Sequence, residues 1–498
     1  MLGACEGPSP PPGTLRLLVD REPETLDPRF CTDPLCVKLT RILYASPISI
    51  DGETLLPVPD AAESIEREGL TDYRIRMRRG VTFHDGTEMT AADLRATLAG
   101  AASESLGSPH RHAYARITYM ELLGRYELLV RLGEPHATFV TDLDLPILPA
   151  RYAARRLEPG VERGAGPFRL AKVEPGRLLL EPFARHHGGA PHVKIEVVAV
   201  PEDNARALRM IGGGGDLAQN ALPPPLWPLF DGRGGFRVQR SPGTSFTYMG
   251  INCADPMLAD VRVRRAIAHA IDRRALVLGK LGGRAVISTG YLPPGHWAYS
   301  ADVPTYEFDP GRARRLLDES GLTDPDGAGP EMRTTLTYRT STDRFRLGVA
   351  RAIAAMLREV GIGVDVRASE MAVLKSDLRD GRFQVFTLQI PEVIEPNMAR
   401  PFFHSASVPT RRNPEAGPNR MRYRSAPADR FIEEGRSTDD VALRRRAYAG
   451  VQRILAEDLP VVPLWHEDNV AVVRDGVTGF RLDRAARLSG LVHAKVAW

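Results

Sequence analysis

The sequence has few cysteines, few aromatic residues and no strong excess of charge of either sign. Its 498 residues include 4 cysteines and 7% aromatic residues, and the formal net charge at pH 7 is +4. Four cysteines are too few for a disulfide scaffold, and nucleic-acid readers usually carry a concentrated basic face that this chain lacks. No stretch approaches the ~20 apolar residues of a membrane helix. The composition favours an ordinary globular protein of about two to four domains, with no nucleic-acid partner.

The cysteines leave one pairing open. Cys31 and Cys36 flank Asp33-Pro34 and are close enough in sequence to bridge across a loop in an oxidising compartment. They can equally remain two small unpaired apolar side chains. Cys253 has no obvious partner in the sequence.

The sequence also lacks the common catalytic motifs. It contains no G-x-S-x-G, no H-E-x-x-H, no Walker Gly-Lys-Ser/Thr and no C-x-x-C. The histidine pairs at 110/112 and 186/187 lie in polar, loop-like stretches without a neighbouring cysteine or carboxylate cluster, which favours solvated histidines over metal ligands. We therefore expect no catalytic residues, no metal site and no cofactor.

The stretch 73–98 carries the densest local pattern. Apolar and charged residues alternate over 73–78, which predicts a half-buried strand. A second short strand is expected at 81–83, between two glycine-containing turns. Thr90, followed three residues later by Asp93, predicts a capping box at the start of a helix. The segment is therefore predicted to run strand, turn, strand, turn, helix.

Helices and strands alternate through the second half of the chain. Apolar spacing predicts a strand at 246–252, a helix at 347–360 that Gly361 ends, and a strand at 362–366. Near the end, a helix at 443–457 precedes an apolar run at 459–465 that predicts a buried strand. This alternation predicts an α/β protein.

The amino-acid sequence of these segments resembles that of the family 5 solute-binding proteins, which deliver oligopeptides and similar solutes to ABC importers. Residues 78–87 read R-R-G-V-T-F-H-D-G-T and are followed by T-A-A-D at 90–93. Residues 164–170 read G-A-G-P-F-R-L, and 260–273 read D-V-R-V-R-R-A-I-A-H-A-I-D-R. Each of these runs is similar to a motif of that family, and the resemblance extends from Leu15 to about Phe480.

The resemblance implies a bilobal α/β fold of the periplasmic-binding-protein type II, in the large cluster with an extra inserted domain. Two lobes would be joined by a two-segment hinge near Gly243 and Val470. The implied boundaries are a lipobox and Pro-rich tether at 1–13, a discontinuous lobe 1 (domain I) at 14–45, 164–243 and 471–498, an inserted domain II at 46–163, and lobe 2 (domain III) at 244–470.

The first residues resemble a bacterial lipobox. Leu2-Gly3-Ala4-Cys5 would be cleaved before Cys5, leaving that residue to carry the lipid. The Pro-rich stretch that follows reads as a tether between a lipid anchor and a folded body. The charged and apolar parts of a signal peptide are not present before Leu2, so the true start and the full signal peptide stay open.

The resemblance also implies candidate ligand-binding residues. In peptide-binding members a carboxylate in a W-x-x-D context receives the α-ammonium group of the ligand, and Glu392 falls on that acid while Gln389 replaces the tryptophan. A carboxylate that is taken out of water needs a positive partner, so it selects a cationic ligand group. The remaining candidates are three cleft-wall aromatics and an acid in an early loop: Trp465, Tyr248, Phe246 and Asp33.

The function that the resemblance implies is solute capture for an ABC importer. The protein would be a lipid-anchored monomer in the periplasm or on the outer face of the cytoplasmic membrane. It would take a peptide-like solute between its lobes and present the closed form to a membrane permease. A nickel chelate, a sugar or an opine are alternative ligands on the same fold, and a hydrolase that reuses the fold is a further alternative without support from any nucleophile–base pair.

Overall fold

A computed structural model describes residues 12–158, 164–327, 329–410, 412–413 and 416–498. Cys5, the predicted lipidation site, and most of the tether lie outside the described residues. The chain divides into two compact units, unit 1 (Met1–Ser241 with Asn469–Trp498) and unit 2 (Pro242–Asp468). The chain passes from one unit to the other twice, before Pro242 and after Asp468. The finer boundaries implied by the resemblance, including an inserted domain at 46–163, stay predictions.

The regular elements of both units are numbered in chain order. The strands are β1 (Thr14–Val19), β2 (Ile48–Ile50), β3 (Pro57–Pro59), β4 (Ala62–Glu68), β5 (Asp72–Met77), β6 (Ile117–Gly124), β7 (Glu127–Leu132), β8 (Phe168–Glu174), β9 (Arg177–Pro182), β10 (Lys194–Ala199), β11 (Leu217–Gln219), β12 (Phe236–Ser241), β13 (Phe246–Ile251), β14 (Ala285–Ile287), β15 (Thr334–Ser341), β16 (Ile362–Ser369), β17 (Val385–Ile390), β18 (Val461–Glu467), β19 (Asn469–Arg474), β20 (Val477–Thr478) and β21 (Lys495–Val496). The α-helices are α1 (Pro34–Leu43), α2 (Ala91–Ala102), α3 (Arg111–Tyr114), α4 (Phe139–Asp142), α5 (Ala150–Ala153), α6 (Asp203–Ile211), α7 (Val261–Ala270), α8 (Arg273–Leu281), α9 (Pro310–Glu319), α10 (Arg344–Arg358), α11 (Met371–Asp380), α12 (Ala399–Phe403), α13 (Ala426–Ser437) and α14 (Val441–Asp458).

Unit 1 is built on a seven-stranded mixed sheet in the order β12-β19-β11-β1-β10-β9-β8. The first strand, β1, lies inside this sheet and pairs in parallel with β10 along six residues, from Thr14–Lys194 to Val19–Ala199. Trp498 fastens the start of β1, because its indole N–H donates to the carbonyl of Thr14 at 3.2 Å and its carbonyl accepts from the amide of Gly13. A separate four-stranded antiparallel sheet follows the order β4-β5-β7-β6.

The signature segment lies in unit 1 and mostly follows its prediction. The strand is present as β5, and Thr90 donates to the Asp93 carboxylate from both its amide (2.8 Å) and its hydroxyl (3.0 Å) at the start of α2. The prediction of a strand at 81–83 was wrong. Only Thr82 forms a bridge, to Glu88, because the Asp85-Gly86 turn closes the pairing on one side and Thr90 caps helix α2 on the other.

Unit 2 is built on one six-stranded sheet in the order β14-β18-β13-β17-β15-β16, with helices on both faces. The alternation of β13 explains this arrangement, since successive side chains of a strand point to opposite faces. Met249 and Ile251 pack in a core with α7, α8 and α10, whereas Phe246 and Tyr248 pack in a second core with α11, α13 and α14. Both faces of the sheet are therefore covered, as the α/β pattern of the sequence predicts.

Candidate functional site

Several polar side chains lie together at one end of the unit 2 sheet. Strands β15, β16 and β17 run parallel and end there, while β13 begins there and β18 ends there because both are antiparallel to their neighbours. We call this end the carboxyl edge and define it by Thr247, Thr340, Ser341, Ser369, Gln389, Glu392 and Glu467. The carboxyl ends of parallel strands are where α/β sheets generally bind ligands. Both connections to unit 1 also leave unit 2 at this edge.

A row of hydrogen bonds crosses three strands at the carboxyl edge. The amide of Gln389 on β17 donates to the hydroxyl of Thr247 on β13 at 3.2 Å. That hydroxyl lies 3.5 Å from Oε1 of Glu467 on β18, and the same oxygen accepts the indole N–H of Trp465 at 3.1 Å. The partners of the Glu467 carboxylate in the described part of the chain are therefore neutral donors.

Glu392 follows β17, and its carboxylate has no hydrogen-bond or ion-pair partner among the described residues. Its side chain is half-buried. Glu395, three residues later, differs because it accepts from the amide of Asn397 at 3.1 Å and pairs with Arg444. The contrast separates a structural carboxylate from one that is free to take a cationic ligand group.

Three hydroxyl groups of the carboxyl edge are buried without a hydrogen-bond partner in the described structure. Thr340 and Ser341 at the end of β15 are 0% and 3% exposed, and Ser369 at the end of β16 is half-buried. An unpaired buried hydroxyl costs about 1–3 kcal/mol of free energy. Each such group calls for an explanation, and a ligand bound at this edge is one that the proposed site would supply.

The three predicted aromatic residues lie directly behind this edge. Trp465 and Phe246 are 0% exposed and Tyr248 is 2% exposed, and the rings of Phe246 and Tyr248 stack at 5.2 Å. Burial raises the pKa of the Tyr248 phenol to about 12. These rings support the carboxyl edge as core residues, and their contact with a ligand stays a prediction.

His466 adds an imidazole to the same end of the sheet without adding positive charge. Its Nδ1 lies 2.7 Å from the carbonyl of Ser245 and its Nε2 lies 3.0 Å from the hydroxyl of Ser288. Burial lowers the pKa of the ring to about 4, so the imidazole is neutral at physiological pH. His466 therefore contributes no positive charge to the carboxyl edge.

Asp33, the remaining predicted residue, lies in unit 1. Its Oδ1 accepts from the amide of Cys36 at 2.9 Å and caps α1, while Oδ2 is buried without a partner among the described residues. Cys31 and Cys36 form a disulfide across this turn, with Cα atoms 5.4 Å apart. The open question of their pairing is therefore answered, and the disulfide fastens the loop that carries Asp33.

A cavity of about 610 Å³ lies at the opposite end of the unit 2 sheet, beside Cys253, and its polar groups are already occupied. Arg264 donates to the carbonyls of Leu258, Ala259 and Asp458 at 2.7–2.8 Å, and Tyr423 donates to the Asp458 carboxylate. Within the described ranges, no three or more His, Cys, Asp or Glu side chains come together as a metal site would require. The carboxyl edge is thus the stronger candidate.

Comparison with known families decides the assignment. The profile of the bacterial extracellular solute-binding proteins, family 5 (Middle), matches residues 57–406, which is more than half of the chain. The chain belongs to this family. Family 5 consists of binding proteins, and the predicted α/β fold class and the solute-binding function are confirmed.

The relatives of this chain match it over nearly its whole length. The oligopeptide-binding protein AppA of Bacillus subtilis is 24% identical over 490 residues, covering 92% of this chain and 87% of AppA. The structure of AppA in complex with a nonapeptide has a TM-score of 0.78 at 23% identity, covering 98% and 99% of the two chains. NikZ of Campylobacter jejuni in complex with Ni(L-His) has a TM-score of 0.79 at 18% identity, covering 97% and 100%. At these identities the structures show the fold alone.

Sequence reasoning missed part of the candidate site. It selected Glu392 and noticed Gln389, but it passed over Glu467, Thr247 and the unpaired hydroxyls. A signal was present for Glu467, because the apolar run of β18 turns abruptly polar at His466-Glu467-Asp468. No such signal marks the hydroxyls, since serine and threonine are common at strand ends.

Proposed function

We propose that this family 5 protein is the extracytoplasmic solute-binding component of an ABC importer and that it binds a peptide-like solute. The observation that carries the proposal is the half-buried, unpartnered carboxylate of Glu392 at the carboxyl edge of unit 2. The names of its relatives agree with it, because AppA is named for oligopeptide binding. The partner that receives the solute would be the permease in the membrane.

The role proposed for Glu392 is to receive the α-ammonium group of the peptide. A carboxylate that loses water when a ligand covers it must gain a positive partner, or its burial becomes costly. An ammonium group supplies that charge together with three hydrogen-bond donors. The hydroxyls of Thr340 and Ser341, which lack partners in the described structure, would then take hydrogen bonds from the polar backbone of the same peptide.

Isothermal titration with trialanine and N-acetyl-trialanine tests this role. We expect wild-type protein to bind trialanine and to bind the acetylated peptide far more weakly, because acetylation removes the charge. Glu392→Gln should weaken trialanine binding by roughly 10- to 100-fold, the equivalent of one charge-assisted hydrogen bond of about 1.5–3 kcal/mol. Glu307→Gln, at an acid whose side chain is 72% exposed, is the matched control and should bind as wild type does.

Two results would contradict the amine anchor. Equal binding of both peptides to wild-type protein would show that no carboxylate reads the ammonium group. Unchanged binding by Glu392→Gln would show that another residue does so.

We further expect to recover intact trialanine after long incubation with the protein, since the proposed function includes no chemical step. Cleaved peptide would instead favour a hydrolase.

A non-peptide solute is the second candidate, because the fold is shared with NikZ, whose structure holds Ni(L-His). Titration with nickel–histidine, a sugar and an opine separates these ligands from the peptides. Binding of one of them without binding of trialanine would replace the peptide with that class of solute and keep the family assignment.

The location and anchorage that we propose follow from the family and the lipobox. An extracellular solute-binding protein works outside the cytoplasm, and a lipid on Cys5 would hold it at the membrane surface as a monomer near its permease. In the described structure no helix is both long enough and apolar enough to cross a bilayer. The proposed domains remain lobe 1, the insert at 46–163 and lobe 2, joined near Gly243 and Val470.

A further inference from the structure

Glu467 is held in place more firmly than an ordinary surface carboxylate. Oε1 accepts from the indole of Trp465 at 3.1 Å and lies 3.5 Å from the hydroxyl of Thr247, while its backbone amide donates to the hydroxyl of Ser245 at 3.3 Å. Trp465 is 0% exposed, so the donor that orients the carboxylate is itself immobilised by the core. A carboxylate fixed in this way has already lost the conformational entropy that a flexible one would lose on binding a ligand.

Among the described residues, the charge of Glu467 has no ion-pair partner. The side chain of Glu467 is half-buried. The groups that face it are an indole, a hydroxyl and, through that hydroxyl, the neutral amide of Gln389. The imidazole of the preceding residue, His466, bonds to the carbonyl of Ser245 and the hydroxyl of Ser288 instead of the carboxylate.

Glu392 and Glu467 are separated by a distance that one small peptide can span. Glu467 ends β18 and Glu392 follows β17, and β13 lies between these two strands. Because neighbouring strands are about 4.8 Å apart, the backbone positions of the two glutamates are separated by roughly 10 Å across the sheet. An extended peptide advances about 3.3–3.6 Å per residue, so its amino group and a side-chain cation one or two residues later can meet both carboxylates.

We propose that Glu467 receives a second positive charge of the bound solute, so that the protein prefers peptides with a lysine or arginine side chain close to the free amino group. This inference rests on the proposed function, in which Glu392 takes the α-ammonium group. It adds a charge requirement that the amine anchor alone does not impose. Glu467 is then the residue that determines specificity among peptides.

Titration with paired tripeptides tests the preference. Lys-Ala-Ala, Ala-Lys-Ala and Ala-Ala-Lys are each compared with the peptide in which norleucine replaces lysine, which keeps the four-carbon chain and removes the ammonium group. We expect at least one lysine peptide to bind wild-type protein on the order of tenfold more tightly than its norleucine partner at low salt. The advantage should shrink at high salt, because screening weakens the interaction between the charges.

Glu467→Gln is the informative variant, because its amide oxygen can still accept from Trp465 while the charge is gone. We expect it to bind the norleucine peptides as wild type does and to lose the lysine preference to within about twofold. Glu307→Gln removes one negative charge elsewhere on unit 2 and should keep the preference. Circular dichroism and the melting temperature of each variant establish that it is folded.

The outcomes separate this inference from the function on which it rests. Equal affinity of the lysine and norleucine peptides for wild-type protein overturns the role of Glu467 and leaves peptide binding intact. A Glu467→Gln variant that weakens all peptides by the same factor also overturns it, since that result describes a structural carboxylate. Failure of every peptide to bind wild-type protein overturns the peptide function as well, and titration with nickel–histidine then identifies the competing class of solute.

Discussion

At the scale of single residues, His466 links the carboxyl edge to the stability of the fold. Burial lowers the pKa of its imidazole to about 4, whereas an exposed histidine in the unfolded chain has a pKa of about 6.5. As the pH falls, the unfolded chain therefore takes up the proton first. The stability that neutral His466 contributes is complete above about pH 6.5 and is lost progressively down to about pH 4.

We expect this linkage to cost unit 2 about 2 kcal/mol of unfolding free energy between about pH 7.5 and pH 5. Urea unfolding at the two pH values measures it. His466→Asn should lower stability at both values but remove that part of the pH dependence. His192→Asn, at an exposed histidine of unit 1, is the control and should leave the dependence unchanged. An equal dependence in wild type and His466→Asn would contradict the assignment.

The residues of the candidate site differ in how far the sequence alone could identify them. Glu392 was found because it occupies a position in a motif, and Gln389 was noticed because it departs from one. Glu467 and Thr247 belong to a hydrogen-bonded row that forms only when β13, β17 and β18 are adjacent. The hydrogen bonds of that row join residues 142 and 220 positions apart in the chain, which local pattern does not reveal.

At the scale of elements, β13 is the strand on which the carboxyl edge depends, and Gly250 shows how tightly it is packed. A Cβ atom at this position would lie 2.3 Å from the ring of Phe386 on the neighbouring β17. The ring fills the space that a side chain would need. A larger residue must therefore displace the aromatic core behind the candidate site.

We expect Gly250→Ala to destabilise the protein by about 1–3 kcal/mol through overpacking. Gly279→Ala is the matched control, because Gly279 lies within α8 and a Cβ there meets nothing within 4 Å. The control should stabilise the helix by about 0.5–1 kcal/mol. Thermal unfolding of both variants measures the difference, and a neutral Gly250→Ala would show that β13 and β17 can separate at little cost.

Elements were the part of the fold that the sequence predicted best. Long amphipathic helices such as α10 and α14, and the capping box of α2, follow from side-chain period and local hydrogen bonds. The prediction of a strand at 81–83 failed because an alternation of three apolar and polar residues does not reveal whether a neighbouring segment is long enough to pair with it. Pairing order within each sheet is a tertiary property and could be expected only through resemblance.

At the scale of the whole molecule, the proposed lipid on Cys5 determines where the protein works. Expressed behind a lipoprotein signal peptide in a bacterial host, wild-type protein should appear in the membrane fraction. Cys5→Ser removes the acceptor thiol and should release the protein into the soluble extracytoplasmic fraction. Cys253→Ser, which changes the free cysteine of unit 2, should stay with the membrane. Wild-type protein that is found wholly in the soluble fraction would contradict the anchor.

Attachment through the proposed tether would have a mechanical consequence. The chain enters unit 1 at β1, which lies between β10 and β11 in the interior of its sheet, and Trp498 fastens its first residue. A pull on the tether acts along β1 and parallel to its neighbours. The paired residues of β1 and β10 then resist the load together in shear, whereas an edge strand pulled sideways would open one hydrogen bond at a time.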